Sequence, residues 1–452
     1  MERDTALAWL VIGIGLAVAV AQITYLPVEA WDEARRGVNA WEMLARHDYL
    51  RYYYLGAPDT FNTKPPLFTW LVALGFRCFG VGVVALRLPS LLALAGFLLY
   101  YRHWLARRTE AGTTLLTLGA LVATPGIMGY HVGIGGDTDM LFVALLTVAC
   151  LAAYDYLNET GRARLAISFL CLALAALTKG VAVALVLPGV LVFALTLPAY
   201  RARLFHPVVA GAAVAAGLTV GLSLLPMGRY PEANVPYRNL LEATLYRDGL
   251  QRLLDPALEP ETGPWSVVQA LDIRFGPLIY LLYAAVPVML WRFGVRGSAR
   301  RIGRDRFAVF SGCIAASVLL LLQLSSNRHN WYVAPAVPFL AYLFARCARG
   351  MIPGRPWPRV LIGAAVAYAL AGRLFQLGDG ARVPDVPELN RAATCGIVYA
   401  DAQLPQDVVF LLYARLPPGS RVERLGAERD ADHCGEIEGL RVCFGTCAQS
   451  PK

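Results

Sequence analysis

The stretch Pro65–Gly82, PPLFTWLVALGFRCFGVG, decides how the chain threads its environment. It is apolar and has about the minimum length that crosses a hydrocarbon core, yet it opens on two prolines and carries Gly75 and Arg77. Eleven further apolar runs lie at 7–27, 84–104, 111–130, 138–157, 164–180, 181–198, 207–227, 276–292, 307–325, 331–348 and 358–376. If Pro65–Gly82 lies along the surface, seventeen arginines between Arg102 and Arg359 fall on one side, all in short loops. If it crosses, all of them move to the other side, against the bias that holds arginine and lysine in short cytoplasmic loops. The stretch therefore reads as an interfacial segment. The chain reads as an all-α polytopic membrane protein with about eleven transmembrane helices plus interfacial helices.

Composition agrees. Of 452 residues, 57% are hydrophobic and 16% charged, against about 25% charged in soluble domains. Backbone groups in lipid must pair within their own segment, so the runs are helices. The run Leu7–Leu26 is too long for a signal-peptide core and has no small-residue cleavage site after it, so it reads as a retained first span. The net charge of +9 sits in short loops, where it reports topology; no nucleic-acid partner is implied.

This threading makes 1–376 a transmembrane domain with two long outer loops, 28–83 and 228–275, and makes 377–452 an extracytoplasmic C-terminal domain. In that tail Gly396–Ala400, Asp407–Tyr413 and Leu440–Phe444 read as short strands bounded by Gly, Pro and Asp, giving a small α/β or β unit. Cys395, Cys434, Cys443 and Cys447 lie there and are expected to form disulfides in an oxidising compartment, with three full pairings open. The other cysteines sit in or beside apolar runs, where packing suffices.

Lysine occurs only at 64, 179 and 452. Lys64, outside and just before Pro65-Pro66, suits an anionic phosphate; a snorkelling anchor is the plainer role. Asp32-Glu33 follows the first span, with Arg35 and Arg36 next on a predicted helix 31–46. A carboxylate there could be solvated, or serve as general base beside a phosphate-binding arginine. Asp137 and Asp139 open the fourth predicted span, one of them as an N-cap. Lys179-Gly180 separates two spans, Asn327-Arg328-His329 precedes Trp331, and Gln251-Arg252 lies in the second outer loop. Any one of these could be an ordinary loop residue. Their gathering on one side marks function.

In order, Asp32-Glu33-Ala34-Arg35, Lys64-Pro65-Pro66, Asp137-Thr138-Asp139, Leu177-Thr178-Lys179-Gly180 and Tyr332 with Pro335 and Pro338 resemble the GT-C superfamily over about residues 1–350. Within it they look like the branch holding the aminoarabinose transferases of lipid A and the protein O-mannosyltransferases. The resemblance implies a glycosyltransferase of the bacterial inner membrane, facing the periplasm. It would move a monosaccharide, with inversion, from a polyprenyl-phosphate donor to a lipid, glycan or protein acceptor of the cell envelope, such as lipopolysaccharide, among membrane lipids. On that basis Asp32, Glu33 and Asp139 are expected to be catalytic. Lys64, Arg35, Arg252 and Arg328 are expected to hold the donor phosphate, and Asp137, Lys179, His329 and Tyr332 to line the cavity. The chain has Thr63 where the aminoarabinose branch has Glu, and Gly249 or its neighbours where that branch has a histidine. No cofactor is certain, and those departures count against the one divalent metal the likeness admits. Other classes compatible with the pattern are a transporter or flippase of an envelope precursor and a non-catalytic subunit of an envelope complex. Charges at one surface, with almost none at mid-depth, suit an interfacial enzyme better.

Overall fold

The structure is a computed structural model that describes residues 2–229, 238–246, 249, 263, 265–326, 328–351, 363, 366–367, 371–372, 394–417, 419–425, 431–437 and 440–447. Helix α1 (Glu2–Tyr25) leads to α2 (Asp32–Arg46), a small hairpin of β1 (Tyr53–Tyr54) and β2 (Ala57–Pro58), and α3 (Leu67–Phe79). Then come α4 (Val83–Ala106), α5 (Ala111–Ala123), α6 (Pro125–Met128), α7 (Asp139–Glu159) and α8 (Arg162–Lys179). A 3-10 segment, Gly180–Val186, continues into α9 (Leu187–Leu195), followed by α10 (Pro198–Leu204), α11 (Pro207–Leu224), α12 (Leu240–Leu245), α13 (Ser266–Phe275), α14 (Leu278–Arg304) and α15 (Arg306–Leu324). A second 3-10 segment, Asn330–Ala336, enters α16 (Val337–Met351). The tail holds β3 (Cys395–Ala400), α17 (Gln406–Arg415), β4 (Arg421–Arg424), β5 (Ala431–Ile437) and β6 (Leu440–Cys447).

Among the described residues seven helical runs are long and apolar enough to cross a membrane, and α13 with α14, bent by 120°, is a broken eighth. The chain is a multi-pass membrane protein. The 34-residue run Arg162–Leu195 is two crossings, because its contacts with α7 reverse. Arg164 bonds Glu159 at the end of α7, Lys179 bonds Asp139 at its start, and Tyr200 bonds Asn158 back at the end. At about 1.5 Å per residue α7 is some 30 Å long, so the chain travels out and back along it. The returning helix lies close to α15, where a Cβ on Gly189 would come within 2.6 Å of the Cys313 carbonyl oxygen. Ten of the eleven expected spans thus have helices, that at 111–130 as α5 continued by α6; the eleventh, 358–376, lies largely outside the described residues.

Helix α3 does not cross. Its 13 residues reach about 20 Å, short of a core about 30 Å thick. Phe68, Val72, Ala73 and Phe76 pack into a second apolar core with α2 and the tail, separate from the core of the bundle. Gly75 allows the crossing over α4, since a Cβ there would meet the Ala85 carbonyl oxygen at 2.9 Å.

The tail sheet has the order β4-β3-β6-β5, with β3 parallel to β4 and the other pairs antiparallel. The expected strand Asp407–Tyr413 is instead helix α17. Parallel neighbours need a crossover, and a short apolar run cannot declare its period. Cys434 and Cys443 form a disulfide, and Cys395 is also disulfide-bonded. The tail rests on α2: Phe410 fills the space over Gly37, where a Cβ would come within 2.5 Å of its ring. Tyr413 bonds Glu42 at 2.7 Å and meets Trp41 edge to face at 4.9 Å.

The two ends of the bundle differ. At one end lie Arg108, Asp155, Glu159, Arg164, Asp305, Arg346 and Arg349, in ion pairs. The opposite end carries α2, α3, the tail and those residues singled out for chemistry that the structure describes.

Candidate functional site

The site is organised by Arg87, fully buried at the start of α4. Its guanidinium clamps Glu33 through Nε–Oε1 at 2.6 Å and Nη2–Oε2 at 2.8 Å. It also donates to the carbonyls of Ile23, Leu26 and Pro27, where α1 ends. Glu33 accepts further bonds from the backbone N–H of Glu29 at 2.8 Å and of Gly136 at 2.6 Å. Its carboxylate is therefore saturated. Glu33, expected to be catalytic, here holds the first turn of α2 against α4 and the loop before α7. Just ahead, Trp31 adopts φ 73°, a left-handed conformation that costs of the order of 1 kcal/mol for a residue with a Cβ, and leaves its ring largely exposed.

Around this anchor the charges interlock. Arg36 reaches Asp137 at 3.0 Å. His131 places Nε2 3.0 Å from Glu29 and Nδ1 3.4 Å from Asp137. Burial works against a charged imidazole, but the hydrogen bonds and charges of Asp137 and Glu29 outweigh it and push the His131 pKa up to about 10. Burial likewise opposes ionisation of Asp137, yet Arg36, His131 and Lys179 together hold it well below the usual carboxylate range. Neither aspartate caps α7 with its side chain: Thr138 is the N-cap, and Asp139 bonds Lys179 at 2.5 Å. Lys179 in turn stands 4.7 Å from the centre of the Tyr332 ring. Trp331 is sandwiched between His131 at 3.9 Å and His329 at 4.4 Å. Arg274, 7% exposed, donates to Asn330 Oδ1 and the Tyr130 carbonyl, and among the described residues makes no ion pair.

Of the residues expected to hold phosphate, Lys64 is half-buried in the loop before α3, where Tyr52 donates to its carbonyl at 2.9 Å. Pro65, beside it, lies 3.8 Å from where a Gly180 Cβ would stand, so the loop adjoins the Lys179 corner. Arg35 is corrected. Its fork is bound by Asp59 at 2.8 and 2.7 Å, and its face by Tyr54 and Phe61, so its charge is already neutralised. Burial opposes ionisation of Asp59, but the Arg35 and Asn39 bonds prevail and hold its pKa low. Arg328 turns to Ser325 and Ser266, and Arg252 lies outside the described residues.

Asp32 remains. Glu29, Glu33, Asp59, Asp137 and Asp139 all have cationic partners, whereas Asp32, half-buried, has no hydrogen bond or ion pair among the described residues. Its carboxylate, a His131 nitrogen and an Asp137 oxygen lie within 4.8 Å of one another. Three such groups can ligate a divalent cation, for which His131 would have to be neutral; Nδ1 faces Asp137, and Nε2 faces Glu29, the carboxylate partner that a ligating imidazole's other nitrogen commonly has. Sequence reasoning missed Arg87, His131 and Arg274.

Residues 63–225 match the family model described as dolichyl-phosphate-mannose-protein mannosyltransferase. An uncharacterized protein of Aquifex aeolicus (strain VF5) is 27% identical over 309 residues, 68% of this chain and 57% of that protein. The chain thus spans little more than half the length of that curated relative. Among solved structures, ArnT from Cupriavidus metallidurans bound to undecaprenyl phosphate superposes with a TM-score of 0.60 at 18% identity, over 86% of this chain and 68% of that one. The Archaeoglobus fulgidus oligosaccharyltransferase in complex with Zn and sulfate gives 0.54 at 14% identity, over 93% and 59%. The chain has an ArnT-like fold.

Proposed function

We propose that the chain transfers a monosaccharide from a polyprenyl-phosphate donor to an acceptor of the cell envelope, with Asp32 as the catalytic carboxylate. One observation carries this reading: Asp32 is an uncommitted carboxylate set among five paired ones, on a helix end fixed by the Glu33–Arg87 clamp. A base must be free to take a proton and must be held in place. In the proposed reaction an acceptor hydroxyl passes its proton to Asp32 as its oxygen attacks the anomeric carbon. The bond from that carbon to the phosphate oxygen breaks, and the sugar inverts. The departing phosphate is stabilised by Lys64 and by Arg274, which no carboxylate pairs among the described residues. Glu33 and His131 position these groups.

We place this end outside the cytoplasm, in a bacterial inner membrane. The basic end then obeys the positive-inside bias, and the Cys434–Cys443 disulfide lies in an oxidising compartment. That ArnT binds undecaprenyl phosphate supports the donor class. The test is transfer of radiolabelled sugar from the membrane's own polyprenyl-linked pool. Asp32→Asn should abolish transfer while undecaprenyl phosphate still binds; transfer at the wild-type rate removes Asp32 from the reaction.

A further inference from the structure

The basic end of the bundle contains a cavity of about 860 Å³ that the proposed reaction does not use. The ends of α4, α7, α14, α15 and α16 enclose it. Its floor is aromatic: Phe307 packs 4.5 Å from Trp104, 4.5 Å from Tyr342 and 5.2 Å from Tyr154, between ring centres. Its rim carries four arginines and three acids. The acids are all engaged: Asp305 by Arg346 at 2.5 Å, Glu159 by Arg164 at 2.5 Å, and Glu110 by Arg349. Arg108 is neutralised by Asp155 at 2.8 Å. Two charges are left over. Arg304 makes no hydrogen bond or ion pair among the described residues, and Arg306 meets only the Tyr200 hydroxyl, at 3.1 Å.

We propose that this cavity binds the phosphodiester headgroup of an anionic bilayer lipid. Paired planar guanidiniums match phosphate oxygens, and a basic pocket between transmembrane helices is where an acidic headgroup gains most. A free phosphate ion would use the rim alone. A lipid also lays its glycerol and upper acyl carbons on the aromatic floor, and the cavity lies where these helices end, within reach of the headgroup layer.

The experiment is a native mass-spectrometry titration of the full chain in detergent with phosphatidylglycerol and, separately, phosphatidylcholine. Arg304→Gln/Arg306→Gln is compared with a control pair at the same end that does not line the cavity, Arg107→Gln/Arg162→Gln. Each arginine near an acidic headgroup contributes about fivefold, so the cavity pair should bind phosphatidylglycerol roughly 25-fold more weakly and the control pair as wild type. Phosphatidylcholine should bind weakly to all three proteins, and millimolar inorganic phosphate should leave the lipid bound. Equal weakening by both pairs would show diffuse surface charge. Undiminished binding by the cavity pair would move the site elsewhere, and displacement by inorganic phosphate would make it a free-anion site; each overturns the proposal.

Discussion

Adjacent acids on one helix turn should behave as opposites. Glu33→Gln weakens the acceptor of a wholly buried guanidinium: Arg87 keeps its full charge with only three carbonyls and a neutral amide around it. Breaking a buried pair in this way costs about 3–5 kcal/mol, and the N–H groups of Glu29 and Gly136 are left competing for one amide oxygen. Asp32→Asn removes no hydrogen bond or ion pair, so its cost should stay within about 0.5 kcal/mol, as for an ordinary surface change. The assay is unfolding of detergent-solubilised protein alongside sugar transfer. Asp32→Asn should melt with wild type and transfer nothing, whereas Glu33→Gln should melt several degrees lower and lose transfer because the helix end moves. Equal destabilisation by the two, or an inert Glu33→Gln, would refute the division of roles.

Four further outcomes follow from the same geometry. The folded pKa of His131, about 10 against 6.5 unfolded, is raised, so its stabilisation is fully present below about pH 6.5 and lost as pH rises towards 10; His131→Gln should flatten the fall of stability across that alkaline window, seen in melting curves at stepped pH. Gly189→Ala drives a methyl into the backbone of α15 and should cost about 1–3 kcal/mol, read from the same melts. Phe410→Ala empties the joint between tail and α2, and should cost about 3–5 kcal/mol, while Tyr413→Phe, losing one bond to Glu42, should cost about 1–3 kcal/mol; thiol labelling of an added cysteine on β4 would report loosening.

The bundle was legible because membrane crossing imposes length and apolarity on each segment, and the surface reading of Pro65–Gly82 followed from charge alone. What stayed hidden depended on pairing at a distance. Arg87 looks like a snorkelling residue at the head of an apolar run; its partner lies 54 residues earlier. Arg35 looks available until Asp59, 24 residues on, is seen to bind it. His131 reads as a lone turn histidine, and only the fold brings Glu29, Asp137 and Trp331 around it. Residues 407–413 read as a strand because seven apolar-rich residues fit either period; the parallel pairing of β3 with β4 selects the helix α17.

In the proposed reaction an isoprenoid phosphate is held at the Asp32 end, beside Lys64. This is tested most directly by native mass spectrometry of the purified chain with undecaprenyl phosphate, wild type against Lys64→Ala. A one-to-one complex is expected that the substitution weakens at least tenfold, consistent with loss of a charge-assisted bond of about 1.5–3 kcal/mol. Equal binding by the two proteins, or none by either, would contradict it.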